Sequence, residues 1–364
     1  MKYLYIILSL VLLTGCYDQV YMEDVAITLI LGIDLDEDDK LKVYLVNPLF
    51  NKEQRRNEEK HTVQSMTIRS ARDKFDVVDT ALTFGSKTQV ILLGKKLLQD
   101  KNCIEYLDPF LRDPQNTITT KIVGVNGKVS DIIYYKSKDN KFSADFLNKL
   151  IDTANKRNIT VKTTFKDLYR QAKEKGITPT ISSISKTSEN QLKLMGSMLL
   201  DSNNKFKINL TPYENKLLTI LQHKSSGDFP FTLNLPLNSQ KKQWLSFSAQ
   251  SINTKTYASF NNKFIFNIHI NLGVEITEKV PNTTQLYSNS LIEKEIKKKI
   301  TQDINQLIAK LQKLQIEPIG LGLYARAYEY TEWEKIQNNW SEHFSKSKVK
   351  INVNIKIRDK GAMR

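Results

Sequence analysis

Cysteine is nearly absent from this 364-residue chain: only Cys16 and Cys103 occur, so a disulfide framework cannot staple the fold. Histidine is scarce too. His61, His223, His269 and His343 lie far apart, and none has a second ligand at helical or finger spacing, which excludes the common metal motifs. Beyond the first sixteen residues there is no hydrophobic run approaching the roughly 20 residues that a spanning helix needs. Catalytic constellations are missing as well. Ser-x-x-Lys occurs at Ser183, Ser202 and Ser345, but in a Ser- and Lys-rich chain that spacing is cheap, and no Lys-Thr-Gly accompanies it. Asp34, Asp36 and Asp38 match the start of a calcium loop, which then fails at Asp39, where Gly is needed, and at Leu45, where a bidentate Glu is needed; a hairpin turn explains them. Gly320-Leu321-Gly322-Leu323-Tyr324-Ala325 has dinucleotide spacing but follows a helical stretch instead of a strand, so the physical basis for holding a pyrophosphate is absent. The expectation is a protein with no enzyme activity, no cofactor and no metal.

What is present begins at the amino end. Met1-Lys2 is basic, Leu4 to Leu13 is almost wholly apolar, and Leu13-Thr14-Gly15-Cys16 closes the run with small residues before a cysteine. That order is a cleaved export leader, too short to span. Its ending resembles the bacterial lipobox, in which the cysteine sulfur takes a diacylglyceryl group and becomes the first mature residue. Two acyl chains on Cys16 convert the marginal affinity of one chain, about 10⁴ M⁻¹, into durable anchoring. Residues 1–15 are therefore read as signal peptide and 16–21 as an acylated tether. Cys103, left without a partner, reads as a buried apolar residue.

Lys and Arg number 54 against 39 Asp and Glu, a net charge of +15. Export excludes nucleic acid as the partner and leaves anionic lipid, wall polymer or acidic protein surfaces.

Along the chain, Val25, Ile27, Leu29 and Leu31 alternate, as do Leu41, Val43 and Leu45, predicting a β-hairpin; residues 51–61 are charged and read as a loop. Ile68 to Leu82 has helical spacing with Gly85 as its stop, Gln89 to Leu93 reads as a buried strand, and Lys95 through Leu111 as a helix. A strand over Ile118 to Val125 and helices over Ala144 to Ala154 and Phe165 to Ala172 follow. The Ser-, Thr- and Pro-rich stretch Gly176 through Ser188 predicts a boundary, giving an N-terminal region over 22–188, subdivided near residue 135, and a C-terminal domain over 189–362. The latter opens with a hairpin from Leu192 to Leu210 and a helix capped by Thr211, Pro212 and Glu214. Prolines 230 and 236 demote the strand Phe229 to Leu237 to an edge, and Leu245 to Ala249 suggests another strand. Phe264 to Ile276 places seven apolar residues at period two; Ile292 to Leu311 stripes a long helix; Trp333, Ile336 and Trp340 stripe a shorter one; Val349 to Ile357 alternate in a closing strand. The fold class is thus α+β, a mixed α/β multi-domain ectodomain with mainly antiparallel or mixed sheets and helices packed on one face.

Lys350, Lys356 and Arg358 on the outward side of the closing strand, with Lys294, Lys297 and Lys298 on the long helix, form a candidate surface for anionic head groups or an acidic loop of a membrane partner.

Taken together, the chain resembles the Ger(x)C lipoproteins, the C subunits of nutrient germinant receptors of endospore-forming bacteria. The residues bearing the likeness are Cys16, Gly32-Ile33-Asp34-Leu35-Asp36, Ser70-Ala71-Arg72, Phe110-Leu111-Arg112-Asp113-Pro114, Gly196, the lysine-rich helix, Gly320-Leu321-Gly322, Trp333, Trp340, Phe344 and Lys360-Gly361. Where the family often has Gly-His before the strand at residue 89, this chain has Gly85-Ser86. The resemblance implies a non-catalytic subunit with integral-membrane A and B partners, held through Cys16 on the outer face of the spore inner membrane and needed for germination. The competing reading is a solute-binding lipoprotein of an importer; a wall-modifying enzyme lacks any catalytic group.

Overall fold

The computed structural model describes residues 25–49, 58–78, 82–114, 116–136, 143–224, 227–237, 243–279 and 288–359. Apolar strands from both halves of the chain assemble into two large sheets. The first has eight strands in the order β10-β9-β8-β7-β6-β2-β3-β4, where β2 is Ile30–Leu35, β3 Leu41–Pro48, β4 Glu58–Ser65, β6 Val90–Gly94, β7 Lys121–Val125, β8 Thr180–Lys186, β9 Leu192–Leu200 and β10 Phe206–Leu210. Strands β2, β6, β7 and β8 run parallel, and the antiparallel hairpins β3-β4 and β9-β10 flank them. A short parallel pair, β1 (Val25–Ile27) with β5 (Leu82–Phe84), stands apart.

Helices cover both faces of this sheet. On one side α1 (Ile68–Val78), α2 (Lys95–Asp100), α3 (Cys103–Arg112) and α6 (Phe165–Lys173) bury Phe75, Leu97, Leu107 and Phe165 against Leu31, Ile33, Val43 and Leu45. On the other, α4 (Val129–Ile133) and α5 (Ala144–Lys156) bury Ile132, Leu147 and Ile151 against Ile30, Val46, Leu92 and Val123. Helices on a single face therefore describe only the second sheet.

That second sheet has the order β11 (Phe229–Leu235), β12 (Gln243–Asn261), β13 (Lys263–Lys279) and β14 (Lys348–Asp359), the last parallel to β13. The crossover between β13 and β14 is α8 (Asn289–Lys313), then α9 (Leu321–Tyr328), α10 (Tyr330–Ile336) and α11 (Trp340–Lys346). Phe264, Phe266, Ile268 and Ile270 alternate inward beneath Ile292, Ile296, Ile300 and Ile304 of α8. Trp340 packs edge-on to Phe264, Phe266 and Trp333, all four buried, so the aromatic stripe is core. Between the sheets lies α7 (Pro212–Leu221), buried from Asn215 to Leu221 apart from Lys216. Its capping box forms as predicted: Thr211 Oγ1 accepts from the Glu214 amide at 3.2 Å, and Glu214 accepts from the Thr211 amide at 2.9 Å. Thr211→Ala should lower stability by about 1 kcal/mol, read as a shift of the urea midpoint with an unchanged slope.

Four local expectations fail, each for a physical reason. Residues 25–31 are not one strand: β1 pairs with β5, while β2 is interior and buried on both faces, so period two does not report its pairing. Residues 58–61 are strand and not loop, because an edge strand can keep Glu59 exposed while Glu58 accepts from the Ala144 amide at 2.7 Å and Lys60 donates to the Ile133 carbonyl at 2.6 Å; 51–57 lie outside the described residues. Helix α1 does not reach Leu82, which begins β5, and Gly85 follows that strand instead of capping the helix; a Cβ there would meet Asn116 Oδ1 at 2.2 Å. The helix over 95–111 is two helices, broken where the Asn102 side chain accepts from the Ile104 amide and caps α3. In addition β12 runs 19 residues, well beyond Leu245 to Ala249.

The sequence boundary near residue 188 falls in the turn between β8 and β9, and ladder hydrogen bonds cross it from Thr180–Leu199 to Lys186–Leu192. The two sheets meet where Gly176 touches Gly322: a Cβ on Gly322 would lie 2.5 Å from the Gly176 Cα. Beside this contact the Thr178 amide donates to the Glu317 carbonyl at 2.8 Å, and the Glu317 amide donates to Thr178 Oγ1 at 3.0 Å.

Candidate functional site

Cys16 lies outside the described residues. The six basic residues singled out from the sequence are described, and they do not form one patch. Val353 and Ile355 point from β14 toward α8, so Lys350, Lys356 and Arg358 lie on the sheet's opposite, open face beside Lys255, Tyr257 and His269. Lys294, Lys297 and Lys298 instead line the outer stripe of α8 with Thr301, Gln302 and Asn305. The helix and sheet therefore hold the two groups on opposite sides of the layer. Arg358 is tied down, its Nη1 donating to Ser251 Oγ at 2.8 Å, whereas Lys350 and Lys356 are exposed.

Other polar residues are absorbed by the fold. Asp34 is buried and accepts from the Leu35 amide at 2.9 Å and the Val129 amide at 2.8 Å, fastening α4 to β2; burial raises its carboxyl above the usual range. Asp36 accepts from the amides of Asp38 and Lys40, and Asp39 takes φ +59°, as a hairpin turn demands. No cluster able to hold a metal occurs among the described residues. Cys103 is fully buried, and burial pushes its thiol up to about 12, away from the thiolate that reacts.

One cavity stands out. It lies between α1 and α3 above strands β2 and β3, with a volume of about 100 Å³. Leu31, Val43 and Leu45 make its floor, Phe75 and Phe110 its walls. Arg69 and Arg72, three residues apart on α1, share its polar end with Asp113 and Asn116 beyond α3. Arg72 Nη1 stands 3.4 Å from Asp113 Oδ2, with both side chains about 30% exposed (30% and 28%). Deeper in, Thr88 donates to the Thr28 carbonyl and Thr28 to Asn47 Oδ1, so the inner hydroxyls are satisfied. In the sequence, Ser70-Ala71-Arg72 and Phe110 to Pro114 are separate motifs. Nothing in their spacing brings them to one place, because the sheet between them supplies the floor.

Comparison with known proteins agrees with this architecture. The family model described as spore germination protein N-terminal domain matches residues 18–186, and the one described as spore germination B3/GerAC like, C-terminal, matches 195–361. Spore germination protein B3 of Bacillus subtilis (strain 168) is 24% identical over 380 residues, covering 100% of this chain and 98% of that protein. Spore germination protein KC of the same organism is 22% identical, covering 93% and 90%. The crystal structure of the GerBC protein superposes with a TM-score of 0.62 at 19% identity, covering 90% of this chain and 96% of that one, and so shares the fold. With both models matched in order over nearly its whole length, the chain belongs to the Ger(x)C family of spore germination proteins.

Proposed function

We propose that this chain is the non-catalytic, lipid-anchored C subunit of a nutrient germinant receptor, held by diacylglyceryl-Cys16 on the outer face of the spore inner membrane beside two integral-membrane subunits. The observation that carries this reading is the match of both family models behind a leader ending in Leu13-Thr14-Gly15-Cys16. It is supported by the described helices, none of which is long and apolar enough to cross a membrane, so that attachment falls to the acylated cysteine.

The test uses a strain whose only receptor contains this chain. Cys16→Ala should move the protein out of the membrane fraction and slow nutrient-triggered germination to the level of the deletion; a variant that stays membrane-bound and germinates normally overturns the proposal. Within the same reading, the open face of the second sheet rests on anionic head groups, each nearby cation adding about 1 kcal/mol. Reversing Lys350, Lys356 and Arg358 to Glu should weaken binding to anionic vesicles; unchanged binding would remove this surface from the account.

A further inference from the structure

The open face of the second sheet is rich in a residue that strands disfavour. Asn253, Asn271 and Asn354 stand directly opposite one another across β12, β13 and β14, and the next two rows add Asn352 beside His269 and Asn267 beside Lys350. Asparagine is depleted in strands, where β-branched and aromatic side chains pack better. Five of them at nine neighbouring outward positions are therefore not explained by the need to build a sheet. Four of the five are exposed and Asn267 is half-buried, and no hydrogen bond to any of their side chains occurs among the described residues.

The other four positions of this grid are Lys255, Tyr257, His269 and Lys350. None of the nine is a carboxylate; Glu275, further along β13, lies beyond Gly273 and accepts from Gln250 Nε2. Tyr257 stands edge-on to His269 at 6.1 Å and to Tyr328 of α9 at 6.3 Å, so exposed rings of the kind found at membrane–water interfaces close one border. Neighbouring strands lie about 4.8 Å apart and alternate residues about 6.7 Å, so the grid covers roughly 10 by 13 Å. That is enough to meet a charged group and its substituents at once.

A primary amide donates and accepts together, as a hydroxyl group does, whereas an ionised phosphate only accepts. Lysines alone would attract any anion; amides beside them add partners for hydroxyls next to the charge. We propose that the open face recognises a polyol phosphate, the phosphoglycerol head group of an anionic lipid, with its phosphate on Lys255 and Lys350 and its hydroxyls on the amides of Asn267, Asn271 and Asn352. The inference rests on the reading that this face meets the membrane, and deepens it from attraction by charge to a choice among head groups of equal charge.

The test measures binding of the full chain carrying Cys16→Ala, so that no acyl anchor contributes, to phosphatidylcholine vesicles containing the same fraction of either phosphatidylglycerol or phosphatidylserine. These two lipids have the same net charge, and only the first has a diol. Vesicles with phosphatidylglycerol should bind about tenfold more tightly, the equivalent of one or two net hydrogen bonds. Added salt should weaken both without closing the gap, since it screens the charge they share. Replacing Asn267, Asn271 and Asn352 together by Ala should abolish the preference while binding to phosphatidylserine vesicles and the thermal transition stay unchanged. Equal affinity of the native grid for the two vesicles overturns the head-group choice and leaves attraction by charge standing, whereas no binding to either overturns both. A preference that survives in the triple variant overturns the role given to the asparagines. Equally tight binding of soluble poly(glycerol phosphate) would assign the face to a wall polymer and overturn its assignment to a lipid.

Discussion

Glu317→Ala is expected to cost about 3–5 kcal/mol and to loosen the contact between the two sheets. The side chain is fully buried, and its carboxylate accepts from the amide of Ile319 at 3.0 Å and from that of Gly320 at 3.0 and 3.1 Å, in the turn that starts α9. Truncation leaves these buried donors without a partner, at about 1–3 kcal/mol each. The same residue's backbone exchanges two hydrogen bonds with Thr178, so the turn it holds also fixes the approach of Gly176 to Gly322. A urea midpoint unchanged by the substitution would show that this reading of the junction is wrong.

Glu317 also predicts a pH dependence. Burial pushes its carboxyl up to about 7, above the 4.5 of the free group, even though surrounding amides favour the ionised form. The Trp340 indole N–H stands close enough to add to that effect while falling short of hydrogen-bond geometry. A raised carboxyl pKa means that the folded state holds its proton where the unfolded state releases it. The associated stability is fully present below about pH 4.5 and is lost as the pH rises through about 7, by roughly 3 kcal/mol in all. Glu317→Gln cannot titrate and keeps an oxygen toward the Ile319 and Gly320 amides, so the stability difference between it and the native chain should change across that window. Parallel curves from pH 5 to 8 would contradict the assignment.

Gly196→Ala should have an effect as large, about 4 kcal/mol or more, seen as loss of folded protein on expression. Strand β9 has one extra residue opposite β8 between the pairs Ser182–Ser197 and Ile184–Leu194, and Gly196 sits in that bulge with φ +94°. A Cβ would lie 2.0 Å from the Leu210 carbonyl oxygen and 2.9 Å from the Thr211 carbonyl carbon. Both are backbone atoms at the entry to α7, which cannot retreat without moving the wedge between the sheets. Gly85→Ala is the contrasting case: its added carbon meets the end of the Asn116 side chain, which can swing away, so a loss near 1 kcal/mol is expected. Equal effects of the two substitutions would mean that the backbone clash does not govern the outcome.

Legibility varies along the chain in a consistent way. The α7 cap, the seven-residue alternation of β13, the apolar stripe of α8 and the closing strand are readable because each element meets water on one side and core on the other. Strand β2 misleads since helices cover both of its faces, and β4 since an edge tolerates charges that mimic a loop. The basic residues of β14 and α8 are recognisable as exposed, but nothing in their spacing reveals that they point to opposite sides.

By itself, then, the sequence determined the one-sided elements and their caps, because hydrophobic period and capping chemistry are local properties of a few neighbouring residues. Tertiary structure alone decided that strands from both halves join one eight-stranded sheet, that Arg72 and Asp113 close over a shared cavity, and that Glu317 is sealed beside Thr178. Those outcomes depend on pairings between distant segments (the Arg72–Asp113 pair spans 41 positions and the Glu317–Thr178 pair 139), and periodicity within one segment holds no information about its distant partner.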